Sequence, residues 1–423
     1  MNVLVIGSGG REHAIIWGLK NSPKVKKIFC APGNAGIEQS AKTIPIKADD
    51  IYGLAQFAQT NAIDVTIVGS ETPLVKGIVD LFEDRGLKIF GPSQRAAQLE
   101  GSKIFLKNFL RTHHIPTAAY ETFSLNEFSR AKKYLSEYQP PFVIKTDGLA
   151  AGKGVAICGT IADAEKTLKE YFEEKIFGDA GTNVVIEEFL QGEEASVFAM
   201  CDGEDYVLLS PAQDHKRIGD NDTGKNTGGM GAYAPAPIVT EEVLRKVEKE
   251  IIQPTLRGMK AEGAPYKGCL YVGLMIHDGI PKVVEFNVRL GDPETQAVLP
   301  LIESDLFDLF YSCAAGTLKN YRLQMKKKSA VVVVLASKGY PDHYESGMPI
   351  TGLENISGNS VVFHAGTKFE NKKIVAAGGR VLGVTSFGNS LGGAIEQCYA
   401  EIPKIQFEHK YFRTDIGRKG LQK

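Results

Sequence analysis

The feature that most constrains the fold is an alternation of short apolar runs with helical patterns at the start of the chain. Apolar runs that predict strands lie at residues 3–6, 27–30, 64–68 and 87–90. Helical patterns separate them at residues 12–20, 52–60 and 73–85. Strands and helices that alternate at this spacing predict a parallel, doubly wound α/β domain. The turn signal Gly91-Pro92 is expected to end this domain.

Beyond residue 114 the pattern changes to a mixture of strands, loops and one long helix. A smaller α+β stretch has predicted strands at residues 142–145, 155–157 and 184–187. A larger stretch contains a glycine-rich loop at 214–232, a helix at 241–262 and strands at 270–276 and 282–286. An apolar run at 329–335 follows three lysines and begins a further set of strands.

These changes of pattern divide the 423 residues into three regions. We expect an N-terminal α/β domain at residues 1–101 and a central region at 102–325. The central region should comprise a small lid subdomain at about 115–190 and a larger part at about 191–325. A small C-terminal domain of mixed structure should occupy residues 326–423. Three domains agree with a usual size of roughly 100–200 residues per domain.

The composition excludes several classes of function. The formal net charge is −1, from 49 basic and 50 acidic residues, so we expect no nucleic-acid or anionic-membrane partner. No apolar run approaches about 18 residues, so we expect no membrane span. The six cysteines are scattered singly without zinc spacing, which favours a reducing, cytoplasmic environment. The 45 glycines follow no fixed period, which points to loops that let the backbone approach a ligand.

The first glycine-rich loop runs from Gly7 to His13, between a predicted strand and a predicted helix. Glycines at this place let a phosphate approach backbone N–H groups at the positive end of a helix. The fingerprint of NAD-binding proteins is not met, because Glu12 stands where that motif requires Gly or Ala. The second predicted strand also ends without an acidic residue for a ribose hydroxyl. The residues themselves leave open phosphate binding or a tight turn.

Two further segments combine a strand end with charged residues. One predicted strand ends in Lys145, and a loop rich in glycine and alanine follows it and contains Lys153. Small residues allow such a loop to close over a polyphosphate, and lysine supplies a mobile charge; a solvated hairpin is the alternative. Another strand ends in Glu187 and Glu188. These acids suit the amino group or ribose of a nucleotide, or equally a solvated strand end.

The fourth segment carries the strongest chemical signal. Glu285 and Asn287 alternate on a predicted strand, so both side chains face one side. Oxygen ligands on one face suit Mg²⁺, which takes one or two protein groups together with substrate phosphates and waters. Arg289, Asp292 and Glu294 follow within a few residues, which a purely structural strand end does not explain.

In this order, the four segments resemble those of ATP-grasp enzymes. More narrowly, the chain is similar to the family of phosphoribosylamine–glycine ligases (glycinamide ribonucleotide synthetases) of purine biosynthesis. The residues that carry the similarity lie at 9–13, 31–36, 149–154, 214–217, 226–233 and 289–296. The family implies ATP, glycine and 5-phosphoribosylamine as substrates. The products would be glycinamide ribonucleotide, ADP and phosphate, formed through a glycyl phosphate intermediate.

The resemblance also implies a role for each region and for individual residues. The N-terminal domain would bind substrate, and the central region would be the ATP-grasp region, its larger part catalytic. ATP would contact Lys103, Lys145, Gly152, Lys153, Gly154, Glu187, Phe189, Leu190 and Glu194. The other substrates would contact Gly9, Gly10, Gly33, Asn34, Asp214, Lys216, Thr227, Gly228, Gly229, Arg289 and Asp292. Lys145, Arg289 and Asp292 would be catalytic, and Glu285 and Asn287 would bind Mg²⁺ or Mn²⁺.

Several points stay open at this stage. Many ATP-grasp enzymes carry another metal-binding acid on the preceding strand, where this chain has Gly273, so the full ligand set is in doubt. His215 beside Asp214 suggests a general base, or alternatively a role in substrate binding or loop order. Residues 378–380 either line the ATP site or form a plain turn. The alternative function is that of another ATP-grasp carboxylate–amine ligase or a carboxylase, and we expect a monomer that acts on small molecules.

Overall fold

The N-terminal part of the computed structural model, which describes residues 1–148, 154–172 and 183–422, is a five-stranded parallel sheet with helices. Its elements in chain order are β1 (Asn2–Gly7), α1 (Gly10–Lys20), β2 (Lys27–Pro32), β3 (Lys42–Thr43), α2 (Ile51–Thr60), β4 (Val65–Val68), α3 (Glu71–Val75), α4 (Ile78–Asp84) and β5 (Ile89–Phe90). The strand order β3-β2-β1-β4-β5 reverses at β1, so the prediction of a doubly wound α/β domain is confirmed.

The helix predicted at residues 73–85 is wrong in one respect, because the structure has two helices there. Gly77 separates α3 from α4 with a φ of 84°, a left-handed conformation that favours glycine and ends a helix. As a result, α3 is short and begins at Glu71, directly after β4. Because Glu71 follows the end of β4, it lies at the carboxyl edge of the sheet, where ligands of open α/β sheets usually bind.

Two helices and a small antiparallel sheet follow. The elements are α5 (Gln98–Gly101), α6 (Lys103–Thr112), β6 (Tyr120–Ser124), α7 (Phe128–Glu137), β7 (Phe142–Thr146), β8 (Val155–Cys158), α8 (Ile161–Phe172) and β9 (Asn183–Glu188). The sheet has the order β6-β9-β7-β8 and, with α7 and α8, encloses an apolar core of its own. We call this unit, from β6 to β9, the lid.

The central part contains a four-stranded antiparallel sheet with the order β11-β10-β16-β17. Its elements are β10 (Glu193–Asp202), β11 (Tyr206–Leu208), β12 (Gln213–Asp214), β13 (Arg217–Gly219), β14 (Thr223–Asn226), β15 (Gly231–Ala234), α9 (Glu241–Val247), α10 (Gln253–Ala261), β16 (Lys267–His277), β17 (Ile280–Asn287), α11 (Glu294–Val298) and α12 (Leu306–Ala315). A π-helical stretch, Glu248–Ile252, joins α9 to α10, so the long helix predicted there is nearly continuous. The glycine-rich stretch predicted as one loop contains the hairpin of β13 and β14.

The last sheet joins strands that are far apart in the sequence. The C-terminal elements are β18 (Ser329–Ala336), β19 (Ser360–His364), β20 (Thr367–Glu370), β21 (Lys373–Ala376), β22 (Arg380–Gly388) and α13 (Leu391–Glu401). The sheet order is β12-β15-β18-β22-β19, so two strands of the central part complete it. This pairing brings the first residue of β22, Arg380, to the loop between β14 and β15. Within the described ranges, no helix has the length and apolar character that a membrane crossing requires.

Candidate active site

A cavity of about 1200 Å³ lies where the lid, the central sheet, helices α3 and α5, and the start of β22 meet. Most of the residues with a predicted binding or catalytic role line it. These are Lys103, Lys145, Gly154, Glu187, Phe189, Leu190, Glu194, Asp214, Lys216, Thr227, Gly228, Glu285, Asn287, Arg289 and Asp292. Gly152 and Lys153 lie outside the described residues, and Gly9, Gly10, Gly33, Asn34 and Gly229 are described but do not line the cavity.

At the lid side of the cavity, one carboxylate lies between two lysines. Glu187 Oε1 is 3.0 Å from Lys145 Nζ, and Glu187 Oε2 is 3.1 Å from Lys107 Nζ. All three side chains are almost fully buried, and Lys145 also donates to the Val284 carbonyl at 3.2 Å. Glu187 Oε1 has no hydrogen-bond donor of good geometry among the described residues, so its contact with Lys145 is an electrostatic one. Glu187 therefore has one buried oxygen without an aligned donor in the described part of the chain, on a residue that lines the cavity.

Lys103, in the first turn of α6, is held by the two residues that directly follow β7. Asp147 Oδ1 accepts from the Lys103 backbone N–H at 2.7 Å, and Lys103 Nζ donates to the Gly148 carbonyl at 2.8 Å. Ser102 caps the helix by accepting from the Phe105 N–H. Burial, and then the like charge of Lys145, lower the pKa of Lys103, while nearby carboxylates oppose the shift. Two lysines thus face the cavity from the junction of helix and lid.

At the opposite wall, Lys216 is the common counter-charge of several carboxylates. Its Nζ lies 2.8 Å from Glu194 Oε2 and 3.6 Å from Glu285 Oε1. Burial lowers the pKa of Lys216, but Glu194, Glu285 and Asp214 outweigh it and raise the pKa well above its usual value. Lys216 lowers the pKa of Glu285, so this group is a carboxylate at neutral pH. Burial raises the pKa of Asp214, and the surrounding acids add to the shift.

Arg289 is fixed by two acids from the N-terminal part of the chain. Its Nη2 lies 3.0 Å from Glu100 Oε1, and its Nε lies 3.3 Å from Glu71 Oε2. The guanidinium is 17% exposed and faces the cavity. Burial opposes its charge, but Glu100 and Glu71 raise its pKa above the usual value, so Arg289 stays a cation. The arrangement holds the guanidinium in one position at the cavity wall.

Asp292 is held from the C-terminal sheet by Arg380. Arg380 Nη1 lies 3.4 Å from Asp292 Oδ1 and donates to the Asp292 carbonyl at 2.8 Å and the Gly228 carbonyl at 2.6 Å. Burial opposes ionisation of Asp292, but Arg380 and Arg11 lower its pKa below the usual value. Tyr340 adds a second contact, because its hydroxyl accepts from the Gly228 N–H at 2.9 Å. Arg380 also lines the cavity, so residues 378–380 are more than a plain turn.

The glycines predicted to bind substrate have a packing role in the structure. A Cβ on Gly10 would lie 2.5 Å from Gln296 Nε2, one on Gly9 would lie 3.2 Å from Asp292 Oδ2, and one on Gly229 would lie 2.4 Å from Pro293 Cδ. The segment that contains Asp292 is therefore packed between the start of α1 and the loop before β15. The Gly9 N–H donates to Glu12 Oε2 at 2.6 Å, so this amide already has an anionic partner.

Gly33 and Asn34 also have structural partners away from the cavity. The Asn34 side-chain nitrogen donates to the Ser8 carbonyl at 2.8 Å and to the His364 carbonyl at 2.9 Å, and its oxygen caps the Gly36 and Ile37 N–H groups. A Cβ on Gly33 would lie 2.7 Å from a Thr43 methyl carbon. The structure therefore gives Asn34 a role in joining the N-terminal part to β19 and Gly33 a packing role beside β3; substrate binding by them stays a prediction.

The residues available for a metal are oxygen donors on one strand face. Glu285 and Asn287 both line the cavity from β17. Gly273 pairs with Glu285 in register, and a Cβ there would lie 3.0 Å from Glu285 Cγ, a tight contact with the side chain of the predicted metal ligand. No group of three His, Cys, Asp or Glu side chains in the described part of the chain is arranged to hold a metal. The donor set suits a cation that takes its remaining ligands from phosphates and water.

His215 faces away from the cavity. It follows Asp214 on the chain, and its Nε2 accepts from the Gly417 N–H at 3.4 Å. Burial, and then Arg413, lower the pKa of His215 to about 4. Its side chain is therefore a neutral group that contacts the C-terminal segment, which favours loop order over a general base.

Four charged residues organise the site, and the sequence indicated only one of them, Arg380. Glu71, Glu100, Lys107 and Arg380 hold the predicted site residues Arg289, Glu187 and Asp292. Each lies far from its partner in the chain. A charged residue within an otherwise apolar helix face was the available signal for Lys107, whose neighbours Leu106, Phe109 and Leu110 are core residues.

Comparisons with known proteins agree over the whole length. The family models of phosphoribosylglycinamide synthetase match consecutively: the N domain over residues 1–100, the ATP-grasp (A) domain over 101–295 and the C domain over 330–419. The phosphoribosylamine–glycine ligase of Chlorobaculum tepidum is 51% identical over 428 residues, which cover 100% of both chains. That of Vibrio vulnificus is 50% identical over 425 residues, covering 100% of this chain and 99% of the other.

Solved structures show the same relationship. The crystal structure of phosphoribosylamine–glycine ligase from Thermotoga maritima has a TM-score of 0.86 and 33% identity, covering 98% of this chain and 100% of the other. A biotin carboxylase from Campylobacter jejuni has a TM-score of 0.76 at 14% identity, covering 100% of this chain and 95% of the other, which shows a shared fold alone. The family models, together with half-identical relatives of equal length, show that the chain belongs to the phosphoribosylglycinamide synthetase family.

Proposed function

We propose that this chain joins glycine to 5-phosphoribosylamine with ATP, giving glycinamide ribonucleotide, ADP and phosphate. Membership of the family makes it a ligase that forms a C–N bond and uses ATP. One observation carries the proposal. A single cavity of this family member is lined by Lys145, Glu285, Asn287 and Arg289. Lysines, oxygen donors and a fixed arginine are the groups that phosphoryl transfer requires, because it depends on positioning and charge neutralisation.

The nucleotide would lie between the lid and the central sheet. Lys103 and Lys145 are positioned for its phosphates, and Gly154 lines the same part of the cavity. Glu187, with a buried oxygen that lacks an aligned donor, suits the amino group of adenine, and the main chain of Phe189 and Leu190 is beside it. Glu194 would accept from ribose hydroxyls. We include Gly152 and Lys153 in this site on the family resemblance alone.

A divalent metal, Mg²⁺ or Mn²⁺, would be held by Glu285 and Asn287 together with phosphate oxygens. Such an ion would neutralise charge on the phosphates during transfer. Lys216 lowers the pKa of Glu285, so this ligand is an ionised carboxylate at neutral pH.

The chemistry proceeds in two balanced steps. A carboxylate oxygen of glycine attacks the γ-phosphorus, the bond to the β–γ bridging oxygen breaks, and glycyl phosphate and ADP form. The amine of phosphoribosylamine then attacks the acyl carbon, loses a proton and expels phosphate. Asp214 and Lys216 together offer an acid and a cation to the zwitterionic amino acid, and Arg289 and Asp292 adjoin the same space. We propose that Thr227, Gly228 and Gly229 contact the ribosyl substrate.

Phosphate release with ATP, Mg²⁺, glycine and freshly made phosphoribosylamine tests this function. We expect turnover that requires both glycine and the amine. Equal turnover with bicarbonate in place of glycine would instead support a carboxylase, the alternative. We also propose that the protein is a monomer, which gel filtration tests. We propose domains at residues 1–101, 102–325 and 326–423, and limited proteolysis tests them because cleavage should fall near those boundaries.

A further inference from the structure

Lys107 is a buried cation that does not line the cavity. Its side chain is 2% exposed, on the face of α6 that packs against the lid and β17. Its Nζ donates to Thr117 Oγ1 at 2.8 Å, lies 3.1 Å from Glu187 Oε2 and lies 5.4 Å from the centre of the Tyr120 ring. Burying an ammonium group is unfavourable unless it is paired, so Glu187 is the partner that makes Lys107 tolerable.

The surrounding contacts hold this lysine in place. Tyr120 OH donates to the Lys107 carbonyl at 2.8 Å, and Thr117 Oγ1 donates to the Val283 carbonyl at 2.7 Å. These bonds join α6, the first lid strand and β17 at one point. Lys107 is therefore fixed relative to both the lid and the strand that carries Glu285.

The charges of this cluster decide what Lys145 can do. Glu187 contributes one negative charge, and Lys107 and Lys145 contribute two positive ones, so the cluster has a surplus of one positive charge. Lys107 neutralises Glu187 from the side that does not face the cavity. The charge of Lys145 is therefore available to the cavity. Without Lys107, Glu187 and Lys145 would form a closed neutral pair, and an anionic ligand would have to break that pair.

We propose that Lys107 is a positioning residue for nucleotide binding: by holding Glu187, it leaves the charge of Lys145 free for the phosphates. This inference rests on the proposed assignment of Lys145 to the nucleotide phosphates. Lys107 acts through Glu187 and does not touch the nucleotide. Its removal should therefore matter only while the Glu187 carboxylate is present.

A double-mutant cycle measured as ADP affinity by calorimetry tests this dependence. In the native background, Lys107→Met should weaken ADP binding about tenfold or more, because it leaves Lys145 as the sole partner of Glu187. In a Glu187→Gln background, the same Lys107→Met change should alter ADP affinity less than threefold. Each comparison is made between two proteins with the same residue at position 187. Any effect of Glu187→Gln on an adenine contact is therefore the same in both proteins and cancels. Lys76→Met, which breaks an exposed pair with Asp49, is the matched control and should bind ADP normally.

An equal loss in both backgrounds would show that Lys107 serves packing, and the inference would fail. If Lys107→Met alone does not fold, the comparison of Glu187→Gln with the double variant decides, because both lack the carboxylate through which Lys107 is proposed to act. Circular dichroism checks that both variants fold, and a tenfold difference in their ADP affinity would overturn the inference. Lys145→Gln separates this test from the proposed function. Unchanged ADP affinity in Lys145→Gln would contradict the nucleotide assignment itself, whereas a loss there with a normal Lys107→Met would contradict only the inference.

Discussion

Glu100 holds both the side chain of Arg289 and the backbone that leads to it. Glu100 Oε1 is 3.0 Å from Arg289 Nη2, and Glu100 Oε2 accepts from the Val288 N–H at 2.7 Å. One carboxylate of α5 therefore sets both the position and the direction of an arginine almost 190 residues further along the chain. Displacement of a positioning group by about 1 Å can cost about 100-fold in rate.

Glu100→Gln should lower kcat by about 10- to 100-fold, because an amide cannot hold both partners with the strength of a carboxylate. The fold should remain, since Gln still accepts one of the two hydrogen bonds. Steady-state kinetics with all three substrates measures the effect. Glu83→Gln, which breaks an exposed pair with Lys267, is the control and should leave kcat unchanged. A native kcat in Glu100→Gln would mean that Arg289 needs no such support.

Lys216→Met should reduce ligation by about 100-fold and raise the KM for glycine. The substitution leaves Glu194, Asp214 and Glu285 without their shared counter-charge and removes a cation from the proposed amino-acid site. Initial rates over a range of glycine concentrations distinguish the two effects. Lys260→Met, at an exposed pair with Glu204, should behave like the native enzyme. An unchanged KM for glycine would contradict the assignment of Lys216 to that substrate.

Gly229→Ala should destabilise the protein more than Gly279→Ala. Both glycines have a left-handed φ, of 111° and 71°, but an added methyl at Gly229 would lie 2.4 Å from Pro293 Cδ, whereas none of the described atoms lies within 4 Å at Gly279. Gly279→Ala should therefore show only a backbone cost of about 1 kcal/mol, and Gly229→Ala at least about 2 kcal/mol. Urea denaturation measures both. Equal losses would show that the 292–296 segment yields easily.

The stability of the protein should fall as the pH is lowered from 7 to 5. Burial lowers the pKa of three histidines from 6.5: to about 3 for His13, to about 4 for His215 and to about 4 for His364. A neighbouring residue contributes to the lowering in two cases, His364 beside His13 and Arg413 beside His215. The unfolded chain binds these protons near pH 6.5 and the folded chain does not, so unfolding takes up protons as the pH falls. Each histidine contributes up to about 1.4 kcal/mol per pH unit in this window.

His364→Asn should reduce this slope of stability against pH, because it removes one titrating group. Denaturation midpoints at pH 7, 6 and 5 measure the slope for the native chain and the variant. His277→Asn is the matched control, since His277 is 61% exposed, and should keep the native slope. Equal slopes for all three proteins would mean that His364 takes up its proton at the same pH in the folded and unfolded chains.

The sequence by itself determined the strand–helix alternation of the N-terminal sheet and the residue types of the site. Hydrophobic periodicity is a local property of the sequence. Residues 3–6 and 27–30 can therefore be predicted as strands without knowing which strands pair with them. The same holds for the alternation of Glu285 and Asn287 on one strand face. Two errors, the single helix at 73–85 and the single loop at 214–232, arose where short elements leave too little pattern to read.

The tertiary structure alone decided which groups meet. Lys107 pairs with Glu187, Glu100 pairs with Arg289, and Arg380 pairs with Asp292 because the folded chain packs helices and strands that are distant in the sequence. Burial then sets the strength of these ion pairs, because the attraction between two charges is stronger where water is excluded. It also decided that Gly9 and Gly10 provide close packing against the 292–296 segment, because only the folded chain shows what a side chain there would meet.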